Sequence, residues 1–393
     1  MTFDGHAATE LPRTFETGRV EPSGNPTAAT NARSEIGSLA ASYGSLQGEK
    51  LRMGAFEQAL IGRELYMDAR HHQHYVTRLT RNPGCLFDHE TWTPSEVDAL
   101  TLGEALELGG AAPCASELGV EGDAFVGELA CSGCRRRRAL WKLRKRLTPE
   151  ELTCPACGQA LLISGFDLIG RLSAERLPPE LLRRPLRDFG LRRGDVFSIR
   201  AFGSEAHYQL ALEAPVPPGG GVNAVVGGCG NIGSHLAPHL ARNPGVGRVV
   251  LIDPDVYEPK NLPGQDIRAR DVGRPKVKVQ AERLLEIRPE LEVVAVADRQ
   301  ENLPLAYFRN AIIFGALDSR LARQQLNQAA WRAGSPWIDM AVDGPGWLFR
   351  VSVYRPGLDS PCLECGWDAA DYESLEHVLP CEEKAATQDI EEE

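Results

Sequence analysis

The sequence has no apolar run that approaches the ~20 residues of a membrane-spanning helix, which excludes a transmembrane protein. Its first residues, MTFDGHAATE, lack the basic and apolar regions of a secretory signal. No internal repeat is visible. The 43 basic residues are outnumbered by 54 acidic ones, and the net charge of -11 argues against general nucleic-acid binding. We therefore expect a cytoplasmic protein that binds neither membranes nor nucleic acids.

The chain does have room for a sizeable core and carries many cysteines. Its 393 residues allow two or three domains, because single cores stop growing near about 250 to 300 residues. The apolar fraction of 42% and the charged fraction of 25% are typical of globular proteins. In an intracellular chain, 10 cysteines favour metal binding or catalysis over disulfides. They form three CxxC pairs and four single positions: Cys131 and Cys134, Cys154 and Cys157, Cys362 and Cys365, then Cys85, Cys114, Cys229 and Cys381.

Changes in composition along the chain indicate separate units. Residues 1–34 have few large apolar groups and are predicted to be disordered, and APVPPGGG is predicted to be a linker. Helical spacing predicts a helix from Glu35 to Met53, and ELYMDAR and HYVTRLTR are predicted to pair as strands. A polar connector has a possible helix cap at Thr93 or Ser95. The predicted units are an arm at 1–34, the helix and strand pair at 35–92, the connector at 93–125, a small β module at 126–213, the linker at 214–221 and an α/β domain at 222–393.

The α/β prediction depends on the pattern beyond residue 222. Strand-like VNAVVG, RVVLID, LEVVAVA, AIIFGAL and PWIDMAV alternate with helices, among them one from about Pro275 to Ile287 and one that ends at Ala333. Such alternation is typical of a mainly parallel sheet flanked by helices.

A glycine motif indicates a nucleotide site in this domain. Gly228, Gly230 and Gly233 form GxGxxG directly after the first strand, where glycines permit a tight turn and close approach to a nucleotide. Asp253 ends the next strand, a position from which a carboxylate can bond ribose hydroxyls. The motif equally fits a nicotinamide or flavin oxidoreductase, and a glycine loop used only for packing is the simpler alternative.

The run DPDVYEPKNLPGQDIRARDVGRPKVKVQAERL decides between these alternatives, because it resembles the ATP-binding stretch of the ThiF, MoeB and ubiquitin-activating superfamily. The resemblance implies a Rossmann-like adenylation domain that binds ATP and Mg²⁺. Lys276 and Asp318 would then be catalytic, with Asp318 placing magnesium. The alternatives are an exposed helix lysine and a helix N-cap. The ATP contacts that the resemblance implies are the three glycines, Asp253, Asp255, Asn261, Gln265, Lys276 and Asp318.

One position departs from the family. The superfamily usually has an arginine between the asparagine and glutamine of this motif, and Gly264 occupies that place here. Arg268, Arg270 and Arg274 are candidates to replace it; a weakened site, or one completed by a partner, is the alternative.

The remaining cysteines have family counterparts only in part. Cys362 and Cys365 resemble half of a structural zinc site whose second CxxC is missing here. Cys85 and His89 resemble that missing end with one cysteine lost, which gives either a Cys3His site or a free Cys85. Cys381 falls about where some members carry a thioester-forming cysteine; an incidental surface cysteine is the alternative.

Residues 27–90 resemble the end of a family adenylation domain, although they precede its beginning. The resemblance predicts a circular permutation with new termini in the crossover loop. The alternative is a split domain whose halves complement each other in a dimer.

The β module begins with a separate metal motif. Cys131, Cys134, Cys154 and Cys157 have the spacing of a four-thiolate zinc (Zn²⁺) ribbon. Between the pairs, RRRRALWKLRKRL reads as a basic helix. It could contact phosphates, an acidic partner or acidic segments of the chain itself, or form a solvated face.

Together these features predict an enzyme that uses ATP to adenylate the C-terminal glycine of a ubiquitin-like protein, followed by a thioester on Cys381 and transfer to a conjugating enzyme. One alternative is adenylation of a sulfur-carrier protein without a thioester. Another is a regulatory protein with a decayed ATP site, and a nicotinamide oxidoreductase is the most distant. The resemblance also implies a homodimer.

Overall fold

The computed structural model describes residues 33–110, 113–163, 165–211, 221–343, 347–357 and 359–376. Most of the predicted arm, most of the linker and Cys381 lie outside these residues. The described helices are α1 (Ser34–Arg52), α2 (Leu102–Glu107), α3 (Asn231–Arg242), α4 (Lys276–Ile287), α5 (Arg320–Ala333) and α6 (Ala369–Glu376). None of them combines the length and apolarity needed to cross a bilayer.

The described strands belong to three sheets. They are β1 (Arg63–Asp68), β2 (Gln73–Arg78), β3 (Ser95–Val97), β4 (Ser116–Gly119), β5 (Phe125–Cys131), β6 (Arg137–Leu143), β7 (Leu161–Leu162), β8 (Leu168–Ile169), β9 (Arg171–Ser173), β10 (Val196–Ala201), β11 (Ser204–Leu210), β12 (Val222–Gly227), β13 (Val246–Ile252), β14 (Glu292–Val296), β15 (Ala311–Gly315), β16 (Trp337–Asp343) and β17 (Leu348–Tyr354).

The largest sheet has the order β14-β13-β12-β15-β16-β17-β1-β2. From β14 to β16 neighbouring strands are parallel, as the alternation predicts, and β17, β1 and β2 then pair antiparallel. The parallel strands are rich in β-branched residues and mostly buried, as expected for strands covered on both faces. β17 is not among the predicted strands, because it follows β16 directly and breaks the alternation.

Helix α1 and the β1–β2 hairpin complete this sheet within the same chain. β1 pairs with β17, with Leu65 opposite Val351, and α1 lies across β16, β17 and α3. A Cβ on Gly44 would collide with Met340, so a helix of small residues is needed for this close approach. The predicted helix and strand pair are confirmed, and they extend the sheet within this chain.

The other two sheets belong to the β module. One has the order β3-β11-β10-β4-β9, and the second consists of β6, β5 and β7 with β8 paired to β5. The predicted connector therefore contributes β3, α2 and β4 to this module. The predicted cap at Thr93 or Ser95 is wrong: Thr101 caps α2, where its hydroxyl accepts a hydrogen bond from Glu104 N at 3.3 Å and its own N–H donates to the Glu104 carboxylate at 2.8 Å.

The basic stretch is a strand rather than the predicted helix. Its central residues form β6, which pairs antiparallel with β5, with Arg137 opposite Ala130. The pairing shifts register between Val126 and Glu128, and Trp141 has a positive φ of 58° near this shift. Pairing with β5 satisfies the backbone of this stretch, which its charges alone do not reveal.

Candidate functional site

The GxGxxG segment forms a tight turn between β12 and α3. Gly228 has φ +93°, and a Cβ there would collide with Ala316 O, while a Cβ on Gly233 would collide with Gly228 O. A Cβ added at Gly230 would have Gln265 Nε2 as its nearest neighbour, 3.8 Å away. The turn therefore requires glycine and leaves open space beside Gln265, which suits close approach of a phosphate chain.

Asp253 organises this turn from the end of β13. Its side chain is buried and accepts hydrogen bonds from Cys229 N at 2.7 Å and Asp255 N at 2.9 Å. Burial raises the pKa of Asp253, and the nearby Lys276 and the two N–H donors offset part of that rise. A ribose contact for Asp253 stays a prediction.

Two buried side chains that the sequence analysis did not identify support the same turn. Tyr257 donates its hydroxyl to Cys229 O at 2.8 Å, and Gln280 on α4 donates to the Tyr257 oxygen at 2.8 Å. Burial raises the pKa of the Cys229 thiol well above its usual value, so this cysteine is neutral and unreactive. The sequence signal for the inward position of Gln280 is its spacing, three residues after Val277 and four before Leu284, which places it on the apolar face of the helix.

Lys276 is held at the start of α4 against these carboxylates. Its Nζ lies 2.8 Å from Asp255 Oδ2 and 3.8 Å from Asp253 Oδ1. Burial lowers the pKa of Lys276, but the two carboxylates outweigh burial and the net pKa is raised. Only 9% of the residue is exposed, so the alternative of an ordinary exposed helix lysine is wrong. The arrangement keeps a protonated amine beside the glycine turn.

The NLPGQ segment contacts the start of α3, next to the glycine turn. Asn261 is buried, and its side-chain oxygen accepts from Glu258 N at 2.8 Å. Asn231 Nδ2 on α3 donates to Gly264 O at 2.6 Å. Gln265 Oε1 is buried and has no hydrogen-bond partner among the described residues. A buried amide oxygen of this kind fits a site that a ligand completes.

The arginines that could replace the missing family arginine differ in their surroundings. Arg268 and Arg270 are exposed. Arg274 forms ion pairs with Asp271 at 3.5 Å and with Glu282 at 2.5 Å. Arg268 and Arg270 are therefore less restrained by ion pairs than Arg274.

Asp318 follows β15 and is exposed, two residues after the Ala316 carbonyl that abuts Gly228. It is not the helix cap, because Ser319 caps α5 by accepting from Ala322 N at 3.4 Å. An exposed carboxylate beside the turn is a donor of the type that Mg²⁺ prefers.

A buried ion network that was not predicted holds this loop. Arg323 on α5 donates to Leu317 O and pairs with Asp339 at 2.6 Å. Asp339 has no exposed surface and also pairs with Arg350 at 2.8 Å, and Arg350 approaches Glu64 of β1 at 3.4 Å. The network thus connects the hairpin to the segment that carries Asp318.

Two groups of side chains are arranged so that they could hold a metal ion. In the first, Cys85, His89, Cys362 and Cys365 bring their ligand atoms within 4.8 Å of one another. Cys85 Sγ lies 3.8 Å from Cys362 Sγ, and His89 Nε2 lies 3.2 Å from Cys365 Sγ. Burial lowers the pKa of His89, which favours the neutral imidazole that binds metals. The structure thus brings together the four residues of the predicted Cys3His group.

The second group is the predicted ribbon of Cys131, Cys134, Cys154 and Cys157, whose sulfurs also lie within 4.8 Å of one another. Cys131 Sγ is 3.4 Å from Cys157 Sγ, and Cys134 Sγ is 3.7 Å from Cys154 Sγ. Tetrahedral Zn–S bonds of about 2.3 Å place sulfurs about 3.8 Å apart, so the donor set fits zinc.

Comparison with known proteins places the glycine turn in a known family. Residues 222–387 match the ThiF family model. The sulfur carrier protein ThiS adenylyltransferase of Escherichia coli is 31% identical over 143 residues, which are 36% of this chain and 56% of that protein. The ubiquitin-like modifier-activating enzyme 5 of Dictyostelium discoideum is 25% identical over 37% of this chain and 41% of its own length. The molybdopterin-synthase adenylyltransferase of Salmonella typhimurium is 28% identical over 36% of this chain and 57% of its own length.

The chain thus spans about half the length of the curated relatives it matches. A solved structure of E. coli MccB with ATP is 26% identical, covers 42% of this chain and 48% of its own, and has a TM-score of 0.32. Residues 222–387 therefore match the ThiF family, and the resemblance of this region to the superfamily of ThiF, MoeB and ubiquitin-activating enzymes is confirmed.

Proposed function

We propose that the chain uses ATP to adenylate the C-terminal glycine of a small carrier protein, either ubiquitin-like or a sulfur carrier. The observation that carries this proposal is the buried, protonated Lys276 beside the glycine turn. In the reaction, a carboxylate oxygen of the carrier attacks the α-phosphorus of ATP, and the bond to pyrophosphate breaks. The relatives named adenylyltransferases and activating enzymes support this reaction class.

Each side chain of the site has a role in this scheme. The glycine turn admits the phosphate chain, and Lys276 neutralises part of its charge. Gln265 Nε2 lies nearest to the open space beside Gly230 and can donate a hydrogen bond to a phosphate oxygen. Asp318 would hold magnesium, which neutralises phosphate charge when bound. Because Gly264 carries no guanidinium, the exposed Arg268 and Arg270 are our candidates for stabilising the charge that develops on the phosphate.

The test is ATP–pyrophosphate exchange by the full chain with carrier proteins that end in Gly-Gly. We expect exchange that depends on the carrier and is lost in Lys276→Met. Lys278→Met is the matched control, because Lys278 is an exposed lysine on the same helix. Absence of exchange with every carrier, alongside intact ATP binding, would favour the regulatory protein instead.

We also propose that Cys381 receives the activated glycine as a thioester before transfer to a conjugating enzyme. The thiolate attacks the carbonyl carbon of the acyl adenylate, and AMP leaves. Cys381→Ser should retain pyrophosphate exchange and lose a thiol-sensitive adduct with the carrier. An adduct that persists in this variant would contradict the assignment. Exchange without any adduct on the wild-type chain would support the sulfur-carrier alternative, since one relative is named a sulfur carrier protein adenylyltransferase.

Finally, we propose that α1 and the β1–β2 hairpin represent the end of the adenylation domain, moved to the front by circular permutation. Their pairing with β17 in the same chain supports this order over a split domain. A reordered chain, with residues 34–92 joined after residue 376, should fold and exchange pyrophosphate as the natural order does. Failure of the reordered chain alone would contradict the permutation. The homodimer and the cytoplasmic location stay predictions.

A further inference from the structure

A cavity of about 490 Å³ lies at the open end of the β1–β2 hairpin, beside the loop that follows β17. The end of β17 lies next to Trp337, the first residue of the parallel strand β16. The glycine turn instead follows Gly227 at the carboxyl end of β12. The cavity therefore lies at the amino-terminal end of the parallel strands, whereas the nucleotide turn lies at their carboxyl end. We refer to this cavity as the arginine cavity. Its polar lining consists of Arg63, Arg78, Thr80, Arg81, Asp359 and Ser360.

Two of these arginines face each other directly. Arg63 on β1 is the register partner of Arg78 on β2. Leu79 N donates to Gly62 O, so the neighbouring Arg63–Arg78 pair is of the type without mutual hydrogen bonds, in which side chains are closest. Like charges directly opposite each other destabilise a sheet. Both arginines are exposed, so solvent screens much of this repulsion, and an anion between the two side chains would remove the remainder.

A third arginine increases the positive charge of the cavity. Arg81 contacts only the Ser360 carbonyl oxygen, at 3.5 Å, among the described residues. Neither Arg63 nor Arg78 forms an ion pair with a described carboxylate, and Asp359 is the one acidic residue of the lining. Three guanidiniums against one carboxylate leave a clear positive excess in a chain whose net charge is -11.

We propose that the arginine cavity binds a small soluble phosphate monoester. A guanidinium can bind two oxygens of a phosphate in a planar fork, and a cavity lined by several guanidiniums suits a dianion better than a single carboxylate. The Thr80 hydroxyl adds a further donor. The volume of about 490 Å³ is in the range of small-molecule sites. The proposal does not depend on the adenylation reaction, because it uses other residues at the other end of the parallel strands.

Calorimetric titration of the full chain with inorganic phosphate and with glycerol 3-phosphate tests this site. We expect binding that weakens with salt and falls by about tenfold or more in each of Arg63→Gln and Arg78→Gln, since a hydrogen bond to a charged group contributes about 1.5 kcal/mol or more. Arg176→Gln is the matched control: Arg176 is an exposed arginine of the β module, outside the basic stretch. A Lys276→Ala background weakens binding at the nucleotide turn and leaves the arginine cavity as the reporter.

A second measurement separates binding from a structural role. Without phosphate, Arg63→Gln should be at least as stable as wild type, because the substitution removes a like-charge pair. Added phosphate should raise the melting temperature of wild type and of Arg176→Gln but not of Arg63→Gln. Equal phosphate affinity in all variants, a lower stability of Arg63→Gln without phosphate, or tighter binding of a single-stranded oligonucleotide than of the monoester would each overturn the proposal.

Discussion

Replacing Lys276 by methionine tests the nucleotide site most directly. Methionine keeps most of the buried aliphatic volume and removes the amine that lies 2.8 Å from Asp255 and 3.8 Å from Asp253. At neutral pH the amine is protonated, since the carboxylates hold its pKa above the usual value. The substitution therefore removes one full positive charge beside the glycine turn.

The loss of ATP affinity follows from two opposing contributions. A hydrogen bond between an ammonium group and a phosphate contributes about 1.5 to 3 kcal/mol. Lys276 must partly leave Asp255 to make that bond, but the Asp255 side chain is 62% exposed, and such a pair contributes only about 0 to 1 kcal/mol. The net loss is then about 0.5 to 3 kcal/mol, or roughly twofold to 150-fold in the dissociation constant.

Equilibrium binding of ATP, with Lys278→Met as control, measures this loss. The exposed Lys278 should have almost no effect on affinity. Asp255→Asn should tighten ATP binding by up to about fivefold, because it removes the competing ion pair. Equal affinities of Lys276→Met and Lys278→Met would refute the assignment of Lys276. Weaker binding by Asp255→Asn would show that Asp255 contacts the nucleotide itself.

Three further predictions concern stability and metal content. Arg332→Gln should lower the free energy of unfolding in urea by about 3 kcal/mol, because the 6% exposed guanidinium pairs with Asp88 at 2.5 Å and Glu121 at 2.6 Å; an unchanged midpoint would contradict this. Glu49→Gln should cost about 1 kcal/mol at neutral pH. The hydrogen bond from Arg52 lowers the pKa of Glu49 to about 2, so the difference in melting temperature from wild type should vanish as pH falls from 4.5 through about 2. Cys362→Ser and Cys131→Ser should each lose zinc from their own group only, as elemental analysis of the purified chains would show.

The sequence predicts the parallel half of the large sheet and its nucleotide turn well, since buried strands and GxGxxG are local signals. It also predicts the Cys3His group, although Cys85 and Cys362 are 277 residues apart, because each half resembles a known motif. The cap at Thr101 was visible as Thr-x-x-Glu before an apolar run and could have been found.

Other features depend on contacts that no local pattern contains. The basic residues form strand β6 because they pair with β5. Their run of charges alone is equally compatible with a helix. The buried Asp339 is compensated by Arg323 and Arg350, and the latter comes from the unpredicted β17. A buried carboxylate cannot be recognised before its partners are known.

The Cys3His group has a particular role if the domain is permuted. A cross-link between positions 277 residues apart raises the free energy of the unfolded chain by about 5 kcal/mol, from the loop-closure entropy (3/2)RT ln n. The loop with Cys85 and His89 also carries Asp88, which binds Arg332 at the end of α5, and Arg332 in turn binds Glu121 of the β module. A zinc ion in this group would thus fix the hairpin segment to the end of the large sheet, and Arg332 would transmit that constraint to the β module. In an unpermuted domain a continuous chain would connect these two segments, and in a permuted one the metal group would connect them instead.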